Sequence, residues 1–159
     1  MSNKKLNALL AKAIRIVAVA FEGKYDRGGY PYFLHCYEVM SSLHTDDIEL
    51  KIIAILHDLI EDTDWTIERL RAEGFTERVL AALKILTRDH NDKSDEEYDN
   101  YISLIGTNYD TLRVKKKDLK HNMDPSRLKK ITEKDNMRLL KYNNAFHYLS
   151  EKESHFEHK

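Results

Sequence analysis

Residues 54–64 read AILHDLIEDTD, and the stretch makes two demands that are hard to meet together. Ile52, Ile53, Ile55, Leu56, Leu59 and Ile60 cover most of a helix's circumference, the pattern of an element packed on nearly all sides. Set into that apolar run are His57, Asp58, Glu61 and Asp62. On a continuous helix, residues four apart lie one turn above each other, so Glu61 stands over His57 and Asp62 over Asp58. His57 and Asp58, about 100° apart around the axis, can lean toward one ion. Half-buried carboxylates without partners are costly, so pairing, protonation or a cation has to compensate them. A cation is the economical solution and a water-facing stripe the alternative; further ligands elsewhere in the chain decide between the two.

Working outward, helical spacing recurs along the chain. Leu6, Leu9, Leu10, Ala13, Ile14, Val17 and Phe21 form one amphipathic stripe that Gly23 would stop, and DRGGYPY then reads as a turn. Asp46 with Glu49 has the form of a capping box opening a helix through about Leu59. Thr66 opens a short helix ending at Gly74, Thr76 can cap the next, and Ser94 with Glu97 resembles another capping box after the polar loop DHNDKSDEE. YDNYISLIG, DTLRVKKKDLKHNMD and the segment from Glu133 to Leu149 supply three more, and the tail from residue 150 on is expected to fray. No alternating strand pattern or repeat interrupts this, so the expected fold is an all-α bundle of roughly seven or eight helices. Residues 1–150 read as a single domain and residues 151–159 as a flexible tail.

Composition narrows the setting. A chain of 159 residues with 42% hydrophobic content can bury one good core. Lys+Arg at 26 against Asp+Glu at 27 leaves a net charge of −1, so no global basic field argues for nucleic acid or a membrane surface. Cys36 is the single cysteine and cannot form an internal disulfide, and no signal-peptide pattern opens the chain. A soluble, cytoplasmic setting is expected. The oligomeric state is not readable.

A one-metal site of imidazole and carboxylate wants more protein ligands than two, with open positions for water or substrate. His35 lies on the apolar side of its helix beside Phe33, Leu34, Val39 and Met40, where a lone histidine is ordinarily a core residue. Asp118 stands between Val114, Leu119 and Met123 amid lysines, where a solvated carboxylate or ion pair is the ordinary reading. Neither stands out alone. In order, however, the chain carries Gly29-Tyr30-Pro31-Tyr32-Phe33-Leu34-His35, then His57-Asp58-Leu59-Ile60-Glu61-Asp62, then Asp118-Leu119-Lys120-His121-Asn122. From Val17 to Tyr142 it resembles the HD-domain phosphohydrolases, and within them the small alarmone hydrolases related to the hydrolase domain of RelA/SpoT proteins.

That resemblance implies that His35, His57, Asp58 and Asp118 bind one divalent ion, usually manganese, and that Glu61 and Asp62 handle the attacking water. It implies hydrolysis of the 3′-diphosphate of guanosine 3′,5′-bis(diphosphate), (p)ppGpp, with a nucleotide as the small-molecule partner. Another nucleotide phosphate or NADPH, or a sensor that binds without turnover, are the alternatives. The relatives carry two adjacent basic residues in the turn before the first ligand; here those places hold Asp26 and Arg27, so one charge is reversed, and Lys24 is offset in spacing. Arg138 and Tyr142 match positions that contact substrate phosphates, and Asn122 can orient a ligand or touch substrate. The lysines at 115–117 read as a solvated face, Trp65 as a packing residue, and His155 and His158 as non-ligands.

Overall fold

The computed structural model describes residues 1–158, and among them the chain forms nine α-helical segments and one 3-10 turn. These are α1 (Asn3–Ala20), α2 (Tyr32–Ser41), α3 (Ile48–Leu56), α4 (Leu59–Asp62), α5 (Ile67–Ala72), α6 (Glu77–Leu86), α7 (Asp95–Ile105), α8 (Tyr109–Asn122) and α9 (Glu133–Glu157), with the 3-10 turn at Pro125–Arg127. Extended pairing among the described residues is limited to an isolated bridge between Tyr25 and Pro31. The all-α expectation holds. No helix among the described residues is long and apolar enough to cross a membrane.

The bundle is organised around α3. Leu50 and every residue from Ile52 to Leu56 are fully buried, because α1, α2, α6 and α8 all pack against this helix. Each Leu or Ile so enclosed contributes roughly 1.5–3 kcal/mol relative to exposure, which makes α3 the centre of the apolar stabilisation. The helix starts one residue later than the sequence suggests: Asp47, not Asp46, caps it by accepting from the Leu50 amide. Glu49, free of that task, binds the Thr76 hydroxyl and Arg78, and so ties the start of α3 to α6.

The count exceeds the expected seven or eight because the helix read as running through Leu59 breaks after Leu56. His57 hydrogen-bonds back only three residues, its amide to the Ala54 carbonyl at 3.4 Å, and Asp58 flattens to φ −101°, ψ −2° before α4 resumes. At the other end of the chain, the last helix continues past Leu149 to Glu157. Phe156 stacks on Tyr109 at 5.3 Å and Glu153 pairs with Lys116, so contacts with α8 hold a segment that local polarity had suggested would fray.

Candidate metal centre

Three separate parts of the bundle deliver ionisable side chains to one buried point. His35 comes from the first turns of α2, His57 and Asp58 from the break between α3 and α4, and Asp118 from the third turn of α8. One ligand atom from each lies within 4.8 Å of all the others, and the group could hold a metal ion. His35 Nε2 lies 3.1 Å from Asp118 Oδ1 and 3.5 Å from Asp58 Oδ2; His57 Nε2 lies 3.1 Å from Asp58 Oδ2 and 3.5 Å from Asp118 Oδ1.

Two of the four side chains enter the cluster from the break at His57–Asp58. On an unbroken helix Glu61 would stack over His57 and Asp62 over Asp58. Here the turn sends His57 and Asp58 inward together, while Glu61 and Asp62 form a second group with His90. The His57 Nδ1 lies 2.7 Å from the Ala54 carbonyl, which can only accept, so Nδ1 carries a hydrogen and Nε2 is the atom turned toward the centre.

Both Nε2 atoms are buried, and neither has a hydrogen-bond partner, although carboxylate oxygens lie close by. Two orphaned imidazole nitrogens facing two carboxylate oxygens form a donor set suited to a divalent transition metal. Burial opposes charge on every member, yet mutual attraction outweighs it. Asp118 and Asp58 raise the pKa of His35 and, more strongly, of His57. Asp58 is lowered by His57 and His35, and Asp118 is driven well below the carboxylate range by Lys115 and the two histidines. Protons on the imidazoles and a divalent ion are therefore competing ways to neutralise one cluster.

Several neighbours that the sequence did not single out brace it. The Tyr32 hydroxyl donates to Asp58 Oδ2 at 2.6 Å, and burial together with Asp58 pushes its pKa up, so it stays a donor. Lys115, read as part of a solvated face, turns inward and donates to Asp118 Oδ2 at 2.7 Å; its i, i+3 spacing to Asp118 was the available signal. Asn122 donates to Asp118 Oδ1 at 2.8 Å. Cys36, beside His35, is buried with its thiol pushed up by that burial, and so is a packing residue.

Glu61 and Asp62 flank the cluster. Glu61 Oε1 accepts from the Arg88 amide at 2.6 Å, and Oε2 lies 3.2 Å from His90 Nε2; neither partner was anticipated. Lys24 donates to the Asp62 main-chain carbonyl at 2.6 Å. Burial, then the charges of Asp58 and Glu61, raise Asp62 to a pKa of about 6.

A cavity of about 250 Å³ opens beside the centre, with Tyr32 and Asn122 in its wall. Arg27, Arg138 and Tyr142 line it too, so the four residues expected to meet substrate come together. Asp26 lines the cavity too, with its charge met by Arg127, in the 3-10 turn, which donates to its Oδ2 at 2.6 Å and holds its pKa down against burial. Arg27 in turn pairs with Asp135 in the first turn of α9. Nothing in the sequence signalled either pairing, because more than a hundred residues separate the partners. Trp65 packs against the core under Arg69, as expected of it.

No protein-family model matches the chain. Over 113 residues, 65% of its length, it is 33% identical to a guanosine-3′,5′-bis(diphosphate) 3′-pyrophosphohydrolase of Haemophilus influenzae. Over 122 residues, 72% of its length, it is 31% identical to the bifunctional (p)ppGpp synthase/hydrolase SpoT of Escherichia coli. The matched regions make up 16–17% of these relatives, so the chain spans about a sixth of their length. Its fold matches a solved structure of a metazoan ortholog of SpoT, described as hydrolysing ppGpp, with a TM-score of 0.77 over 92% of both chains at 17% identity.

Two outcomes follow from this geometry. His57→Ala or Asp58→Ala should strip most of the divalent ion that the purified protein carries, measured by elemental analysis; unchanged metal content in both would remove these residues from the site. Asp26→Arg, which sets a second guanidinium against Arg127, should lower the melting temperature by about 3 °C, the scale of about 1 kcal/mol in a chain of this size. A rise in melting temperature would contradict the role assigned to Asp26.

Proposed function

The chain is related to the ppGpp-hydrolase HD-type domain of SpoT-like proteins, and on that premise we propose that it is a metal-dependent phosphohydrolase removing the 3′-diphosphate of guanosine 3′,5′-bis(diphosphate). The observation that carries this reading is the pair of orphaned imidazole nitrogens facing Asp58 and Asp118 beside a cavity rimmed by Arg27, Arg138 and Tyr142. A nucleotide phosphate needs both halves: an electrophilic centre and cationic groups to hold the phosphates not being attacked.

His35, His57, Asp58 and Asp118 would hold the ion, manganese by analogy with the hydrolases the chain resembles. When bound, such an ion lowers the pKa of water and offsets phosphate charge. The protein's own groups do the rest. Asp62, with a pKa of about 6, is ionised at neutral pH yet basic enough to take the proton of the attacking water. Glu61 is fixed by the Arg88 amide and His90, so its carboxylate offers a stationary acceptor to orient that water. Arg27 and Arg138 would bind phosphate oxygens through charge-assisted hydrogen bonds, and Tyr142 would donate from the same wall. The reversed charge at Asp26 does not weigh against a polyphosphate substrate, because Arg127 neutralises it.

Incubating the protein with manganese and guanosine 3′,5′-bis(diphosphate) should yield GDP and pyrophosphate. Glu61→Gln and Asp62→Asn should each cut turnover about 10²-fold while keeping bound metal, the usual scale for losing a positioned base. An inert tetraphosphate, with NADPH or a nucleoside monophosphate dephosphorylated instead, would overturn the substrate and keep the chemistry. Binding without any turnover would make the chain a sensor.

The pH dependence follows from Asp62. Its pKa in the folded protein lies above the ordinary carboxylate value of 3.8, so the basic form is lost as pH falls through about 6. The rate should therefore decline on the acid side with a limb near or below pH 6, and Asp62→Asn should abolish that limb. An unaltered limb in the variant would assign it elsewhere.

A further inference from the structure

His57 and His35 both reach the centre through Nε2, and each must carry its hydrogen on Nδ1 for the Nε2 lone pair to face an ion. For His57 the Ala54 carbonyl settles this. For His35 the partner is another imidazole. His121 Nδ1 lies 2.7 Å from His35 Nδ1, with the ring centroids 4.9 Å apart and the planes inclined by 27°, and such a contact leaves open which ring donates.

Arg127 removes the ambiguity. Its Nη1 lies 2.9 Å from His121 Nδ1 and 3.0 Å from the His121 carbonyl oxygen. A guanidinium has only donors and keeps its charge, so a hydrogen on His121 Nδ1 would point at another donor, and the geometry favours a bare Nδ1 that accepts. His35 is then the donor across the 2.7 Å contact. Arg127 is itself held firmly: Asp26 accepts from its Nη2, and the Asp26 carboxylate is braced by the Tyr30 amide at 2.9 Å. The turn also runs close to Arg127's main chain, an approach that Gly28 permits, since a Cβ there would sit 2.1 Å from the Arg127 carbonyl oxygen.

We propose that Arg127 is a positioning residue for the metal centre: by donating to His121 Nδ1 it fixes the tautomer of His121, which in turn holds His35 with its Nε2 lone pair toward the ion. The turn before α2 thereby reaches the centre through the chain Asp26, Arg127, His121, His35. Ligand histidines are commonly steadied by a carboxylate or carbonyl on the second nitrogen, and losing such a partner typically weakens metal affinity about 10- to 100-fold. Here a second histidine does that work, and it can do so only while the arginine keeps its Nδ1 bare. The proposal rests on His35 being a ligand.

The test is a two-bond proton–nitrogen correlation spectrum of the histidine side chains, recorded on metal-free and zinc-loaded protein, with zinc affinity measured by competition against a chelator. Wild-type His121 should show a bare Nδ1 and a protonated Nε2 in both states. Arg127→Met should give mixed His121 tautomers and a 10- to 100-fold loss of zinc affinity, and Arg127→Lys, which restores a donor, should recover part of both. A hydrogen on His121 Nδ1 in the wild type overturns the proposal, as does Arg127→Met with unchanged tautomer and affinity. If Arg127→Met does not fold, the wild-type spectrum decides alone. A wild type that binds no zinc overturns the metal reading itself, an outcome visible separately because the His121 tautomer is read in the metal-free protein.

Discussion

Four ionisable side chains meet where the protein has almost no water to offer them, and the surrounding structure answers that desolvation. His35, His57 and Asp118 are nearly fully buried, and Asp58 is only slightly less so. Ions in such a place cost several kcal/mol each unless compensated, and compensation by one partner leaves the others exposed to the same penalty. Lys115 meets part of the need from one side of Asp118, and Tyr32 caps one oxygen of Asp58. What remains is a set of bare nitrogen and oxygen atoms at mutual distances a single cation can satisfy. Two of the four come from the turn at His57–Asp58, at the end of the most buried element of the fold.

A second layer joins distant parts of the chain around this point. Two ion pairs, Asp26 with Arg127 and Arg27 with Asp135, tie the turn between α1 and α2 to the segment connecting α8 and α9 and to the first turn of α9. They close the bundle over the cavity and leave Arg27 and Arg138 on its wall. One carboxylate thus serves two ends: Asp26 stiffens its own turn through Tyr30 and seats the arginine that abuts His121. The cavity wall and the cluster of His35, His57, Asp58 and Asp118 are joined by hydrogen bonds through Asp26, Arg127 and His121, so changes at the mouth of the cavity should be felt by the cluster.

Much of this was legible in the sequence wherever the physics is local. Thr66, Thr76 and Ser94 cap their helices as read, because a hydroxyl that satisfies an amide three residues on needs nothing from the rest of the fold. The ligand candidates His35 and Asp118 became visible only together with His57-Asp58 and through resemblance, since alone each has an ordinary explanation. Glu97, read as half of a capping box, binds Arg88 instead. The break in the apolar run was not legible, because Ile and Leu pack equally well on a straight helix or a broken one. Lys115 was misread because a lysine among lysines looks solvated until the position of Asp118 in the fold is known. The full length of α9 depends on Phe156 finding Tyr109, a contact between residues far apart in sequence.

The central claim is that His35, His57, Asp58 and Asp118 form a site in which a divalent ion replaces protons. Calorimetric titration of metal-free protein with manganese at neutral pH, in buffers of differing ionisation enthalpy, measures both halves at once. Because the carboxylates raise both histidines above their ordinary value, binding of one ion per chain should release protons. Binding without proton release, or no binding at all, would contradict the account.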